Sequence, residues 1–327
     1  MVTAHRRTHI CVFIFLLFIA ATCHSQAPNT QDVARMFDYE QNAPLDLQEK
    51  SVVDRQGIHV HDISYASPKG GHVSAYLVVP AGKGPFAGIV FLHSGQWDRH
   101  EFLAEAQLLA RAGAVSVLLD APPMRSREFQ KKQEDRLQSY IQLVVDCRRA
   151  VDLLEQLPSS AITTAAQPGE ANTSQRLVDP KRIAYVGHSL GATWGGALSV
   201  SERRFKALIL MAGFSQFSVS TRAEIPPAQL EKAEPFLKAA APLDADRLLP
   251  HAAPAALFFQ FAEFDQYITH EDAQRSIDAA SEPKTVKWYE GGHEFGDPRA
   301  LPDRAEFLRQ QIGIGPARGT ARHQRTK

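Results

Sequence analysis

The segment Arg182-Ile-Ala-Tyr-Val-Gly-His-Ser-Leu-Gly-Ala192 decides the fold expected for this chain. It begins as a short apolar strand, and a helix rich in small residues follows it. Between them, Gly187-His-Ser-Leu-Gly191 matches the G-x-S-x-G pattern of a sharp turn from strand to helix. Such a turn lifts the hydroxyl of Ser189 clear of a sheet and points the first N–H groups of the helix at a bound group. Ser189 is therefore a candidate nucleophile, and Gly187 and Gly191 occupy positions where a side chain would not fit.

Strand-like and helical patterns alternate from residue 88 to residue 312. Eight strands are predicted: 57–65, 72–79, 88–92, 114–119, the run before Gly187, 206–211, 255–261 and 284–289. Helical patterns cover residues 99–112, 128–157, 269–280 and 302–312, and a short helix is expected around residues 32–39. This alternation predicts an α/β fold with a mostly parallel sheet and helices on both faces. The hairpin signal Pro68-Lys-Gly-Gly71 makes the first two strands antiparallel.

The two ends of the chain differ in composition from its centre. Arg6 and Arg7 precede an apolar run, Ile10–Ala21, that is shorter than the roughly 20 residues of a membrane span. We therefore expect residues 1–27 to be a signal peptide, and the mature protein to be exported, periplasmic or secreted, without stable membrane insertion. An uncleaved anchor and a lipid anchor on Cys23 are the alternatives. Residues 313–327 are basic and poor in apolar residues, which predicts a disordered tail.

The central part is expected to form one domain. Residues 28–54 form an N-terminal extension, and residues 55–312 contain all the predicted strands. Residues 158–177 are typical of a surface insertion, because they are rich in Ser, Thr, Ala and Gln. Residues 214–254 are irregular and rich in proline and lie between two core strands, so they are expected to cap a site.

Composition excludes several classes of function. The chain has 327 residues, of which 44% are hydrophobic and 22% charged, as in ordinary globular proteins. Its 36 basic and 36 acidic residues balance, and no basic stripe interleaved with aromatic residues indicates a nucleic-acid partner. Neither metal-ligand spacing nor a glycine-rich phosphate loop occurs, so no metal or other cofactor is expected. Cys147, the cysteine left after signal removal, is interpreted as a buried small hydrophobe. The oligomeric state is left open.

Ser189 needs a general base and an orienting carboxylate, because a serine hydroxyl is a weak nucleophile at neutral pH. Asp265 follows the strand at 255–261, and His293 follows the next strand after two glycines. Both therefore belong to the edge of the sheet where Ser189 is expected. Glu263 competes with Asp265 for the carboxylate role. His251 and His270 lie away from strand ends, so His293 is the preferred base.

The loop after the strand at 88–92 is the candidate source of a second oxyanion donor. Its sequence is Phe91-Leu-His-Ser-Gly-Gln-Trp97. We expect the backbone N–H groups of Leu190 and Gly95 to bind an oxyanion, with that of Gln96 next. His93 is interpreted as a structural hydrogen-bonding residue, and Asp120 as a structural cap. Side chains that are candidates for a substrate pocket are Gln96, Trp97 and Phe214, together with Arg99 and Trp194. For Trp97, Arg99, Phe214 and Trp194, an ordinary core or surface position is the equal alternative.

These motifs in this order resemble the α/β-hydrolase superfamily. His93-Ser-Gly-Gln, Leu119-Asp-Ala-Pro and Tyr289-Glu-Gly-Gly-His-Glu-Phe are most similar to the dienelactone-hydrolase-like branch and to the catalytic domains of acyl-peptidases. The resemblance covers about residues 55–312. It implies an eight-stranded sheet and hydrolysis of carboxylic esters without a cofactor. Dienelactone hydrolases carry cysteine at the position of Ser189, so a serine esterase acting on a small-molecule ester is favoured here.

Three other functions are also compatible with these residues. An acyl-peptidase-like serine peptidase is one, although such enzymes carry a propeller domain for which there is no room before residue 55. An acyltransferase is the second, since the sequence does not separate water from another acceptor. The third is a non-catalytic binding protein on the same scaffold, although binding alone would not need Ser189, Asp265 and His293 in this order.

Overall fold

The computed structural model describes residues 29–125, 133–158 and 176–316. The predicted signal peptide lies outside the described residues, as do most of the predicted insertion at 158–177 and most of the predicted tail at 313–327. Within the described parts, no helix is both long enough and apolar enough to cross a lipid bilayer.

One mixed sheet forms the centre of the molecule. Its strands are β1 (Gln48–Asp54), β2 (His59–Ala66), β3 (His72–Val79), β4 (Phe86–Leu92), β5 (Ala114–Leu119), β6 (Val178–His188), β7 (Phe205–Met211), β8 (Ala256–Ala262) and β9 (Lys284–Tyr289). Their order across the sheet is β1-β2-β3-β5-β4-β6-β7-β8-β9. The six neighbouring strands β5, β4, β6, β7, β8 and β9 are parallel, whereas β1, β2 and β3 are antiparallel to their neighbours. The predicted α/β class and mostly parallel sheet are therefore confirmed.

The prediction of eight strands was wrong by one strand. β1 was missed because it is an edge strand whose residues are nearly all exposed, so its sequence lacks the alternation of apolar and polar residues. It pairs antiparallel with β2, with a shift in register between Glu49 and Ser51. The predicted hairpin between the next two strands is present, and Ser67 N–H donates to the Gly71 carbonyl at its turn.

Helices cover both faces of the sheet. They are α1 (Thr30–Arg35), α2 (Leu103–Arg111), α3 (Pro122–Arg125), α4 (Gln133–Gln156), α5 (Leu190–Ser201), α6 (Phe217–Glu224), α7 (Leu230–Ala240), α8 (Ala245–Leu248), α9 (His270–Ala279) and α10 (Ala300–Ile312). α4 and α5 pack on one face, and α2 and α10 on the other. The predicted cap at 214–254 contains α6, α7 and α8, joined by short 3-10 turns.

The two faces carry separate hydrophobic clusters because successive side chains of a strand point to opposite sides. In β6, Ile183 and Tyr185 belong to the cluster under α4 and α5, and Ala184 and Val186 to the cluster under α2 and α10. Cys147 lies in the first cluster and is fully buried, as expected. Burial raises the pKa of its thiol, so it is kept neutral.

The N-terminal extension is fastened to the domain by buried arginine. The guanidinium of Arg149 is 1% exposed and donates to Asp152 and to the carbonyl groups of Gln41 and Ala43. The Tyr39 hydroxyl donates to the same carboxylate at 2.7 Å. Each of these backbone carbonyl groups therefore has a charged donor in place of water.

Candidate active site

Ser189 occupies a strained turn between β6, the neighbour of the central strand β4, and α5. Its φ of 51° and ψ of −104° are unusual for a residue that carries a Cβ. The Ser189 N–H donates to the Met211 carbonyl at 2.8 Å, and its own carbonyl accepts from the N–H and hydroxyl of Thr193. Hydrogen bonds on both sides thus hold a conformation that costs about 1–3 kcal/mol. The residue is partly exposed and accessible from the carboxyl edge of the sheet.

The two glycines of this turn are required by close backbone contacts. A Cβ on Gly187 would lie 2.6 Å from the carbonyl carbon of Gly191, and a Cβ on Gly191 would lie 2.3 Å from the carbonyl oxygen of Leu92. Both distances are far below van der Waals contact. We call residues 187–191 the elbow turn, and its tightness brings α5 directly against the end of β4.

His293 and Asp265 follow the neighbouring strands β9 and β8. The Nδ1–H group of His293 donates to the carboxylate of Asp265, with distances of 2.8 Å to Oδ2 and 3.0 Å to Oδ1. Both side chains are nearly buried, 5% and 1% exposed. A proton fixed on Nδ1 leaves Nε2 of His293 as the basic nitrogen.

The carboxylate of Asp265 is held in its charged form. Burial acts to raise its pKa, but the hydrogen bonds from His293 and from the backbone N–H groups of Ile268 and Tyr267 outweigh burial and hold the pKa below its ordinary value. Glu263, the alternative carboxylate, is half-exposed and pairs with His270 on the surface. His293 therefore has Asp265 as its partner.

The loop that carries His293, residues 290–297, packs against the elbow turn; we call it the His293 loop. The side chain of His188 donates from Nε2 to the carbonyl oxygen of His293 at 2.9 Å. Gly291, with a φ of 117°, makes the bend that follows β9. The ring of Tyr267 meets the ring of His293 edge-on, with centroids 4.8 Å apart. The residue before Ser189 thus sets the position of the candidate base.

Residues 93–101, which follow β4, are called the Gly95 loop and border the elbow turn on the other side. A Cβ on Gly95 would lie 3.9 Å from the Cβ of Leu190, so the two residues are neighbours. Leu190 is the first residue of α5, where helix N–H groups lack acceptors within the helix. The two N–H groups that the sequence singled out therefore belong to adjacent segments beside Ser189.

His93 has the structural role expected of it. Its Nε2 accepts from the Ala121 N–H at 3.0 Å, and its Nδ1–H donates to the Ser94 carbonyl. Burial lowers its pKa, which keeps the ring neutral in this tautomer. Asp120 is also structural, since it accepts from the Arg99 N–H, and Arg125 donates to its carbonyl group.

The pocket candidates divide into two groups. Gln96 donates to the Tyr267 hydroxyl at 3.1 Å, Trp97 is 50% exposed, and Phe214 follows β7 at the same edge of the sheet. For Trp194 the structure selects the core alternative: its side chain is 1% exposed and stacks on Tyr140, because it faces the helix layer.

Arg99 likewise has the ordinary structural position that was its alternative. Its guanidinium pairs with Asp62 at 3.1 Å and lies over the ring of Tyr76. It therefore braces β2 and β3 on the far side of the Gly95 loop.

Sequence reasoning missed Glu101 and His188, which join the segments around Ser189. The Glu101 carboxylate accepts from His188 Nδ1 and from the Ser94 N–H. A histidine inside G-x-S-x-G and a glutamate just before a helix carry no signal that links them. Within residues 29–125, 133–158 and 176–316, no three His, Cys, Asp or Glu side chains are grouped so that they would hold a metal ion.

Solved structures of esterases share this architecture. Acetyl xylan esterase 1 from Thermoanaerobacterium sp. JW/SL YS485 superposes with a TM-score of 0.65 at 13% identity, covering 86% of this chain and 93% of that one. An acetyl xylan esterase from Paenibacillus sp. R4 gives 0.64 at 17% identity with the same coverage. The α/β hydrolase GrgF from Penicillium sp. sh18 gives 0.55 at 16%, covering 77% and 99%. No protein-family model matches the sequence, and no curated protein does. The likeness at these identities concerns the fold.

Proposed function

We propose that this chain, which has the α/β-hydrolase fold, is a serine hydrolase that cleaves carboxylic esters of small molecules. The observation that carries the proposal is the paired hydrogen bond between His293 and Asp265, at the same sheet edge as the strained Ser189. A neutral histidine with its Nδ1 proton fixed by a carboxylate is the arrangement that a serine needs for activation. A purely structural serine would not require a backbone held at positive φ.

In the proposed reaction, Oγ of Ser189 attacks the acyl carbon of the ester while Nε2 of His293 takes the hydroxyl proton. Asp265 keeps the imidazole in the required tautomer and stabilises the imidazolium that forms. The N–H groups of Leu190 and Gly95 donate to the oxyanion of the tetrahedral intermediate. The C–O bond to the alcohol then breaks, and His293 returns the proton to the leaving oxygen. Water, activated by the same histidine, hydrolyses the acyl-enzyme and releases the acid and Ser189.

We propose that Gln96, Trp97 and Phe214 contact the substrate around this centre. All three lie on segments that leave the carboxyl ends of strands next to the elbow turn, and the exposed indole of Trp97 offers an apolar surface to a ligand. Two of the structures with the same fold are named for acetyl esters, which makes acetyl esters the first substrates to test. Dienelactones are less favoured, because Ser189 replaces the cysteine of that branch.

The test is covalent labelling of the purified mature protein with a fluorophosphonate probe, alongside p-nitrophenyl esters of increasing acyl length. Wild type should be labelled and turn over ester, and Ser189→Ala should do neither. Ser201→Ala is the matched control, because Ser201 lies at the other end of α5, about 18 Å away. If Ser189→Ala is still labelled or turns over ester like wild type, the proposed nucleophile is wrong. If wild type is neither labelled nor active, the binding-protein interpretation replaces the proposal.

We further propose that the enzyme is exported after removal of a signal peptide within residues 1–27, and that the domain expected at residues 55–312, whose sheet β1 (Gln48–Asp54) extends at its edge, is catalytic. The charged and then apolar order of the first 21 residues supports this. N-terminal sequencing of protein recovered from the periplasm or medium tests it. A mature terminus at Gln26 or Pro28 is expected, and retention of Met1 on cytoplasmic protein would refute export.

A further inference from the structure

A hydrogen-bonded pair that the proposed reaction does not use, His188 and Glu101, includes the residue immediately before Ser189. The imidazole of His188 is 2% exposed, and the carboxylate of Glu101 that it contacts is 14% exposed. Nδ1 of His188 is in contact with Oε1 of Glu101, and Nε2 lies 2.9 Å from the carbonyl oxygen of His293. A carbonyl oxygen only accepts, so Nε2 must carry a proton.

Glu101 is the last residue of the Gly95 loop and brings that loop into the connection as a third segment. Its Oε2 accepts from the backbone N–H of Ser94 at 2.6 Å, and Ser94 immediately precedes the proposed oxyanion donor Gly95. One hydrogen-bonded chain therefore runs from the Gly95 loop through Glu101 and His188 to the His293 loop. Because His188 is itself part of the elbow turn, all three segments of the proposed site are tied together at one point.

Such a pair is a poor source of stability. Removing two charged groups from water costs about as much as their attraction returns, and an apolar replacement of similar size is often as stable. The pair instead determines geometry, because its hydrogen bonds fix three backbone segments relative to one another. Misplacement of a reacting group by about 1 Å costs on the order of 10²-fold in rate.

We infer that His188 and Glu101 are positioning residues, which hold the candidate base and the candidate oxyanion donor in register with Ser189. The inference rests on the proposed function for its kinetic readout. The proton between Nδ1 and Oε1 makes the pair neutral overall wherever that proton resides. The positioning role therefore depends on the hydrogen bonds and not on a net charge at the site.

This proton count makes glutamine an informative replacement for Glu101. In Glu101→Gln, the amide oxygen accepts from the Ser94 N–H, and the amide nitrogen donates to Nδ1 of His188, whose Nε2–H still donates to the carbonyl of His293. All three connections persist. In Glu101→Ala, the Ser94 N–H and Nδ1 of His188 both lose their partner, and the Gly95 loop is released from the elbow turn.

Glu105 provides the matched control. It stands four residues further along, in α2, is 6% exposed, and makes a bidentate pair with Arg304 at 3.0 and 2.6 Å. That pair joins α2 to α10, on the face of the sheet opposite α5. Glu105→Ala therefore removes a still more buried carboxylate without touching the Gly95 loop, the elbow turn or the His293 loop.

The experiment measures kcat and KM for p-nitrophenyl acetate, and amide hydrogen exchange of Ser94 and of residues 290–297, in wild type and in the three variants. Glu101→Ala should lower kcat by about 10²-fold with little change in KM and speed up exchange in both segments. Glu101→Gln should restore kcat to within about threefold of wild type, and Glu105→Ala should keep kcat and the local exchange unchanged even if the protein melts earlier.

Two results would overturn the inference: Glu101→Ala with wild-type kcat and exchange, or Glu101→Gln as defective as Glu101→Ala. The second result would assign the effect to charge. If wild type lacks esterase activity altogether, the proposed function fails. The exchange comparison between the Glu101→Ala and Glu105→Ala variants then still decides whether the pair holds the two loops.

Discussion

Replacing Gly191 by alanine places a methyl group where two backbones meet. Its Cβ would lie 2.3 Å from the carbonyl oxygen of Leu92 and 3.0 Å from the carbonyl carbon, whereas ordinary contacts begin near 3.4 Å. The opposing atoms belong to the central strand β4, so no side chain can rotate away. α5 must therefore move off the sheet by about 1 Å. Overpacking of this kind typically costs about 1–3 kcal/mol.

The same displacement should reach the candidate site, because Ser189 and Leu190 begin the helix that moves and the Gly95 loop follows Leu92. We expect Gly191→Ala to lower the melting temperature by about 2 to 12 °C and to reduce kcat for p-nitrophenyl acetate by about 10²-fold. Thermal unfolding followed by circular dichroism and steady-state kinetics measure the two effects.

Gly296→Ala is the control, because a Cβ at Gly296 meets no atom within 4 Å and its φ is not positive. It should leave both quantities close to wild type, although it lies in the His293 loop. If Gly191→Ala melts within 1 °C of this control, the close approach of α5 to β4 is refuted. If it melts earlier but keeps full kcat, the argument that the position of α5 sets the geometry around Ser189 is wrong.

Five further substitutions, two of them for comparison, test the carboxylate, the pocket and the attachment of the N-terminal extension. Asp265→Asn should lower kcat by about 10⁴-fold, which is the loss typical of this change in a Ser-His-Asp site, whereas Glu263→Gln should retain activity. Equal losses of kcat in the two variants would show that Asp265 is not the carboxylate partner of His293. Because hydrogen bonds outweigh burial and hold the pKa of Asp265 below its ordinary 3.8, the stability it adds is complete above that value and lost as pH falls through the lower folded pKa. Urea unfolding between pH 2 and 6 should accordingly show a shallower acid slope in Asp265→Asn than in wild type, and identical slopes would contradict the pKa direction. Trp97→Ala should change KM for esters while leaving the free energy of unfolding within about 0.5 kcal/mol of wild type. Trp194→Ala should lower the free energy of unfolding by about 3–5 kcal/mol, because its side chain is buried in the core. Similar losses of unfolding free energy in the two variants would contradict their different burial. Arg149→Ala should cost about 1–3 kcal/mol in urea unfolding, since it leaves the carbonyl groups of Gln41 and Ala43 without a donor while Arg204 still pairs with Asp152, and a cost below about 0.5 kcal/mol would show that the extension is not held this way.

Local patterns in the sequence were enough to predict the central architecture. The apolar runs that became β4, β5, β7 and β8 are almost entirely buried, so their composition alone marks them as strands of a parallel sheet. β1 escaped this reasoning because an exposed edge strand has no apolar face to reveal it. A short helix was expected around residues 32–39 and lies at Thr30–Arg35, but its contacts with the domain were not expected.

Trp194, Arg99 and Glu101 show where reasoning from sequence ends. Each was assigned a role, or none, from its neighbours along the chain. Their actual partners are Tyr140, Asp62 and His188, which are 54, 37 and 87 residues away. Nothing in a local pattern encodes which of many distant polar or aromatic side chains a residue will meet.

The sequence by itself determined the class of fold, the elbow turn at Ser189 and the order in which Asp265 and His293 follow it. Hydrophobic periodicity and the steric demands of glycine act over a few residues, and they are visible without a structure. Only the tertiary structure decided that His293 donates to Asp265 while Glu263 faces the surface, and that Glu101 and His188 join three loops behind the serine. These are choices among side chains brought together from distant parts of the chain, and they depend on packing geometry that local sequence does not contain.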